Sequence, residues 1–222
     1  MITKLQNKTV PSNKTDPLSI LSGFIPNLPK ENQNEAHQAL EEIRRMLGTD
    51  NLTGLGNKQK FDSEIKIFVQ KCLRFGQAGS LLFIDLDNLH YLNRILGSDA
   101  VDKIIKDIVD NISSSIRDID AAFRRSGDEF LVLLPGTDVK NAQNVINRIC
   151  SKVSAIKVTY DGKDIPIGVS IGVSSIPANT GTPKKYTPED ITNIIQTLLT
   201  DSENGMKKEK GKKPVLADAK RD

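Results

Sequence analysis

The chain has 222 residues, of which 37% are hydrophobic and 27% charged, with a formal net charge of +3. At about 150 residues per domain this allows one self-sufficient core with an appendage, or two small domains. The charge is too small to argue for a nucleic-acid partner, and no run approaches the roughly 20 apolar residues of a membrane span. Two cysteines, Cys72 and Cys150, form neither a disulfide framework nor a metal knuckle and read as buried thiols. Met1 to Val10 is polar, without the apolar stretch of a secretory signal, so the expected compartment is the cytoplasm.

Residues 1–30 carry Pro11, Pro17, Pro26 and Pro29, a density that forbids a long helix. The apolar set Leu18, Leu21, Phe24, Ile25 and Leu28 marks this segment as an arm that docks on something. Residues 31–49 read as a linker helix. Ala36, Leu40, Ile43 and Leu47 step by four, three and four, the spacing of a short coiled-coil seam, and Gly48 ends it. Two heptads are too few to be stable alone, so this helix packs on the domain or pairs with a second copy.

From Asp50 the pattern changes type repeatedly. Phe61 to Phe75 is an amphipathic helix, and Ser80 to Leu86 is a short unbroken apolar run, hence a buried strand. Ala100 to Ile116 returns to the helical period. Ala121–Arg125 and Glu129–Leu134 form a hairpin about a Ser-Gly-Asp turn. A helix over Val139–Val153 precedes a second hairpin, Ala155–Tyr160 and Ile165–Ser174, about Asp161-Gly162. Thr187 caps the last clear helix, to Leu199, with Pro188 at its first position. The order predicts an α/β fold with a mixed central sheet and surrounding helices. Residues Lys207–Lys213 are nearly all lysine, either a solvated tail or a cation cluster that meets phosphate.

Two acidic clusters are singled out by position. Asp85 and Asp87 lie at the end of the first buried strand, and Asp128 and Glu129 at the tip of the first hairpin. If these strands are neighbours, the carboxylates converge, which is costly unless a cation neutralises them. Hard oxygen ligands without Cys or His suit Mg²⁺ or Mn²⁺ and point to metal-assisted chemistry on a nucleotide phosphate. The alternative is that acids at strand ends and turns are simply solvated.

The segment Ser126-Gly127-Asp128-Glu129-Phe130 resembles the signature loop of the GGDEF domain, the diguanylate cyclase family. Asp50-Asn51-Leu52-Thr53-Gly54-Leu55-Gly56-Asn57 is similar to its entry motif. Asp85-Leu86-Asp87 with Asn93, Gly97 and Asp102 is similar to its D-x-D…N…G…D segment. Arg124, Ser170-Ile171-Gly172-Val173 and Gly211-Lys212-Lys213 complete an ordered set over residues 50–216, leaving 217–222 as a charged tail. The resemblance implies a palm-like nucleotide-cyclase fold with a five-stranded mixed sheet. It implies condensation of two GTP into cyclic di-GMP by two domains meeting face to face. Asp85 and the Leu86 carbonyl, with Asp128 and Glu129, would bind two metal ions, Asp128 and Glu129 serving catalysis. Asn93 and Asp102 would read guanine, and a carboxylate suits its N1–H and N2–H₂ donors. Gly127 would let backbone amides approach phosphate.

The departures concern the phosphates. Ser126 replaces the first signature glycine, His90 stands where the family has a phosphate-binding lysine, and Ser98 where it has histidine. Lys208 and Lys212 fall at the family's lysine and arginine, on a final helix weakened by Gly205. Arg117 and Asp120 form an R-x-x-D at the family's inhibitory spacing, where cyclic di-GMP would bind; an ordinary surface pair is the other reading. Two functions therefore stand: a cyclase, dimeric in catalysis and without a membrane span, or a catalytically weak receptor for cyclic di-GMP.

Overall fold

The computed structural model describes residues 17–179 and 185–214. The first sixteen residues of the arm, the last two residues of the expected domain and the 217–222 tail lie outside them. The chain divides into two compact units, Met1–Leu47 and Gly48–Asp222.

In the first unit, α1 (Pro17–Ser22) and a single 3₁₀ turn (Ile25–Asn27) lead to α2 (Lys30–Leu47). Ile25 and Leu40 bury against each other with Ala36 beside them. The arm therefore occupies Leu40, one position of the four-three seam, while Ile43 remains exposed.

The second unit is a sheet covered on both faces. Its elements are α3 (Lys58–Phe75), β1 (Gly79–Leu86), α4 (Leu89–Leu96), α5 (Ser98–Ser113), β2 (Ala121–Ser126), β3 (Glu129–Pro135), α6 (Val139–Ser154), β4 (Lys157–Tyr160), β5 (Lys163–Pro166), β6 (Val169–Ile176) and α7 (Pro188–Lys210). The central sheet has the order β2-β3-β1-β6, and every pairing in it is antiparallel. Alternation along β1 sorts the core. Leu82, Ile84 and Leu86 face α5 and α6, whereas Leu81 and Phe83 face α3 and α7. Burial on both faces is why β1 reads as one unbroken apolar run.

The α/β class holds, and the sheet differs in detail from the expectation. Four strands form it among the described residues. Its one parallel element is the isolated bridge from Gly56 to Phe123. The expected second hairpin is a separate two-stranded ribbon, β4-β5. The chain breaks after Pro166, which lacks a ladder donor, passes Gly168 close to Asp87, and only β6 rejoins the sheet.

Helix α7 begins as its sequence dictates. Thr187 and Asp190 make a reciprocal capping box with Pro188 in the first turn. It does not fade at Leu199 but continues through Gly205 to Lys210. Helix α7 crosses β6 closely at this point: a Cβ on Gly172 would lie 1.9 Å from the Ser202 carbonyl oxygen, and one on Gly205 3.3 Å from the Gly172 Cα. Close approach of two backbones outweighs the helix-propensity cost of about 1 kcal/mol. The lysine run therefore stands largely on a packed helix.

Candidate active site at the sheet tip

The site is built where β1 leaves the sheet. Asp85 lies opposite Glu129 on β3 and Ser170 on β6. The Leu86 amide donates to the Asp128 carbonyl at 3.1 Å, fixing the hairpin tip beside the end of β1. The side chain of Asp85 falls on the α7 face by strand alternation and is 10% exposed. Burial pushes its carboxyl above the usual range, the Lys210 ammonium draws it back, and the charges of Asp128 and Asp87 push it further up. The four carboxylates read from the sequence are thus brought to one end of the sheet.

The cations there come from the end of α7. Lys210 Nζ donates to Asp85 Oδ1 in a short contact. Lys213 Nζ donates to Asp87 Oδ2 at 2.7 Å, and the Ser170 hydroxyl donates to the other Asp87 oxygen at 2.6 Å. Both lie in the lysine run that the sequence offers as a cation cluster, but the individual candidates there are Lys208 and Lys212. A signal existed: Leu198, Ser202 and Met206 are the buried positions of α7, and four residues beyond Met206 the same face carries Lys210. Reading the helix as ending at Leu199 hid it.

The signature loop is held from below. Arg124 forks onto the Gly127 carbonyl at 2.7 and 3.1 Å and reaches Asp50 at 3.1 Å. Asp50 also accepts from the Thr53 amide and hydroxyl. The entry motif therefore serves as a clamp that sets the loop. Arg125 sits at a register shift between β2 and β3, 3.7 Å from Glu129 and 3.9 Å from Glu203. Ser126, in the glycine position, donates to Glu129 at 2.7 Å. Gly127 itself has no left-handed backbone angle, and a Cβ there would meet nothing within 4 Å. The fold does not require glycine at 127, and the space above it is open.

The other sequence candidates are more dispersed. His90 and Asn93 are exposed on α4, Ser98 is exposed at the start of α5, and Asp102 is half-buried on α5. The two helices pack together about Gly97, whose φ of 80° is left-handed. Lys208 is exposed, and Lys212 is paired with Glu209 at 2.6 Å. Arg117 and Asp120 do meet, but inwardly. Asp120 is 1% exposed and Arg117 55%. The Asp120 carboxylate accepts from the Arg117 amide, Nε and Nη2. Arg117 also donates to Pro135 O and the Thr137 hydroxyl.

Among the described residues, no three Asp, Glu, His or Cys side chains are gathered closely enough to hold a metal ion alone. Magnesium is ordinarily held by one or two carboxylates completed by water and substrate phosphate. Asp85, with the charge of Asp128 near it, is a donor set of that size, and here it is met by the Lys210 ammonium.

A model of the family described as "Diguanylate cyclase, GGDEF domain" matches residues 47–209. The chain is 34% identical over 152 residues to diguanylate cyclase DgcS of Shewanella oneidensis, covering 68% of this chain and 50% of that protein. It is 30% identical over 165 residues to the probable diguanylate cyclase DgcE of Escherichia coli, covering 73% and 15%. It is 32% identical over 144 residues to the cyclic di-GMP phosphodiesterase NbdA of Pseudomonas aeruginosa, covering 65% and 18%. The chain thus spans at most half the length of these relatives. Among solved structures it superposes on the GGDEF domain of DgcB from Caulobacter crescentus in complex with c-di-GMP, with a TM-score of 0.64, 20% identity and coverage of 76% and 92%. It superposes likewise on the FimX GGDEF domain from Pseudomonas aeruginosa, with 0.63, 19%, 75% and 95%. Both establish the fold.

Proposed function

The chain belongs to the GGDEF-domain family of diguanylate cyclases, and we propose that it is itself a cyclase that condenses two GTP into cyclic di-GMP and two pyrophosphates. The observation that carries this reading is the register that sets Asp85 opposite Glu129, with Asp128 bonded to the end of β1. Acids crowded in this way are costly unless they serve a cation.

In this proposal Asp85, the Leu86 carbonyl, Asp128 and Glu129 would hold two Mg²⁺ or Mn²⁺ ions. Such ions supply Lewis-acid polarisation of the α-phosphate and a lowered 3′-hydroxyl pKa. Asp128, half-buried at the tip, accepts the proton as the 3′-oxygen of one GTP bonds to the α-phosphorus of the other and pyrophosphate departs. Two copies must face each other for that attack, so a homodimer is the working form, with the linker helix as the element that brings copies together. Asn93 and Asp102 select guanine; Gly127, whose outer space is open, admits phosphate to the loop amides. Lys208, Lys212, His90 and Ser98 complete the contacts to substrate. Inhibition by product at Arg117 would use the exposed side of the guanidinium, since Asp120 is spent on orienting it.

The test is incubation of the full chain with GTP and Mg²⁺ or Mn²⁺, with chromatographic detection of cyclic di-GMP. Product from the wild type and none from Asp128→Ala is the expected result. No product, with cyclic di-GMP binding that Arg117→Ala abolishes, overturns it in favour of a receptor.

A further inference from the structure

The lysines around the sheet tip are not equivalent. Lys207 is paired with Glu203 at 2.6 Å and Lys212 with Glu209, both neighbours on their own segment. Lys213 is bound into the fold, shared between Asp87 and the Val169 carbonyl. Lys210 alone among these lies on Asp85, the residue assigned to metal in the proposal above. Its side chain is 43% exposed, whereas that of Asp85 is 10% exposed. The ammonium thus enters from solvent over a carboxylate that the protein has otherwise shut in. It is carried on a flexible four-carbon stem in the last turn of α7.

We infer that Lys210 is a tethered cation that occupies the divalent-ion position at Asp85 and yields it to metal arriving with a nucleotide. The inference rests on the reading of Asp85 as a metal ligand. The physical argument is one of charge exchange. A bare divalent ion must evict an ammonium that has no new partner, at a site whose other acids are already partly neutralised by Arg125 and Lys213. A metal–nucleotide complex brings phosphate oxygens with it. The displaced ammonium then moves from one anion to another without standing unpaired. Lys210 thereby discriminates against free metal and supplies a positive charge to the arriving phosphates. It is a positioning residue, acting through Asp85.

The experiment measures Mn²⁺ binding to the full chain from the electron paramagnetic resonance signal of the free aqua ion. It is run without nucleotide and with an α,β-methylene analogue of GTP, alongside thermal unfolding with and without Mn²⁺. Lys210→Met is expected to bind Mn²⁺ alone at least about tenfold more tightly than wild type, an advantage that shrinks or reverses with the analogue. Its unfolding temperature falls without metal and recovers with Mn²⁺. Lys210→Gln carries the same expectation and guards against a folding failure. Lys210→Arg, which keeps the charge, and Lys207→Ala, which lies elsewhere, behave as wild type. Wild type and Lys210→Met that bind Mn²⁺ equally without nucleotide, yet both bind it with the analogue, overturn the inference and leave the metal reading standing. If neither binds Mn²⁺ under any condition, the metal reading fails and the inference with it.

Discussion

The sheet tip and the Arg117–Asp120 turn are both acid-and-base constellations picked out by the same resemblance, and the fold treats them in opposite ways. At the tip, Asp85 is buried and covered by a lysine that reaches it from solvent. Asp128 and Glu129 are half-buried, and the space over Gly127 is open. At the turn, Asp120 is closed off and its oxygens are taken by three Arg117 donors. Arg117 then fastens the end of β3 through Pro135 and Thr137. Ser80 at the start of β1 donates to the same Thr137. One constellation is arranged to exchange its cation; in the other Asp120 is spent on a staple between the end of the α5 segment and the opposite end of the sheet, and only the exposed side of Arg117 is left to meet a ligand. A charge pair announces chemistry only when one member can change partners.

This contrast makes ordered predictions. The largest effect belongs to Asp128→Asn, expected to lower cyclic di-GMP formation by about 10²–10³-fold with the unfolding temperature unchanged. A variant that loses its fold along with its activity would assign the tip a structural role. Next is Gly172→Ala, whose new methyl would strike the backbone of α7. It is expected to cost about 3 kcal/mol, and residual folded protein loses activity because the lysines of α7 are carried off the acids. Third, Asp120→Ala removes charge-assisted hydrogen bonds worth about 2 kcal/mol, lowering the unfolding temperature by about 4–8 °C. Should calorimetry instead find Asp120→Ala as stable as wild type while cyclic di-GMP binding disappears, Asp120 contacts the ligand itself rather than orienting Arg117, and the contrast fails.

The smallest effect concerns the start of α7, the helix that delivers Lys210 to the tip. Thr187→Ala is expected to cost about 1 kcal/mol. Hydrogen bonds from Thr187 hold the Asp190 carboxyl below its ordinary range. A carboxylate lowered on folding stabilises above its unfolded pKa, and that contribution is lost as pH falls through the lowered value. The gap in unfolding temperature between wild type and Asp190→Asn should therefore be present at about pH 7 and close as pH falls below the ordinary carboxylate range.

Much of this molecule was readable before folding. The unbroken run Ser80–Leu86 required a strand buried on both faces, and the Ser-Gly-Asp turn required a hairpin whose tip carries two acids. Ser126 reads in the sequence only as a replacement for a glycine; that its hydroxyl holds Glu129 goes with the bulge at Arg125, which no periodicity reports. The split between β5 and β6 is not legible in the sequence because both sides are β-prone, and which strand pairs with β4 and which with β1 is settled only by the partners in space.

The sequence alone determined which residues could carry charge to the end of β1, because strand alternation, turn chemistry and helix caps are set by neighbours a few positions away. Tertiary structure decided which cation meets which acid. The crossing of α7 over β6 at Gly172 and Gly205 places Lys210 on Asp85 and Lys213 on Asp87, and the walls around Asp120 turn that carboxylate inward. The two lysine placements depend on contacts between segments more than a hundred residues apart, and distance in space between such segments is fixed only when the layers pack.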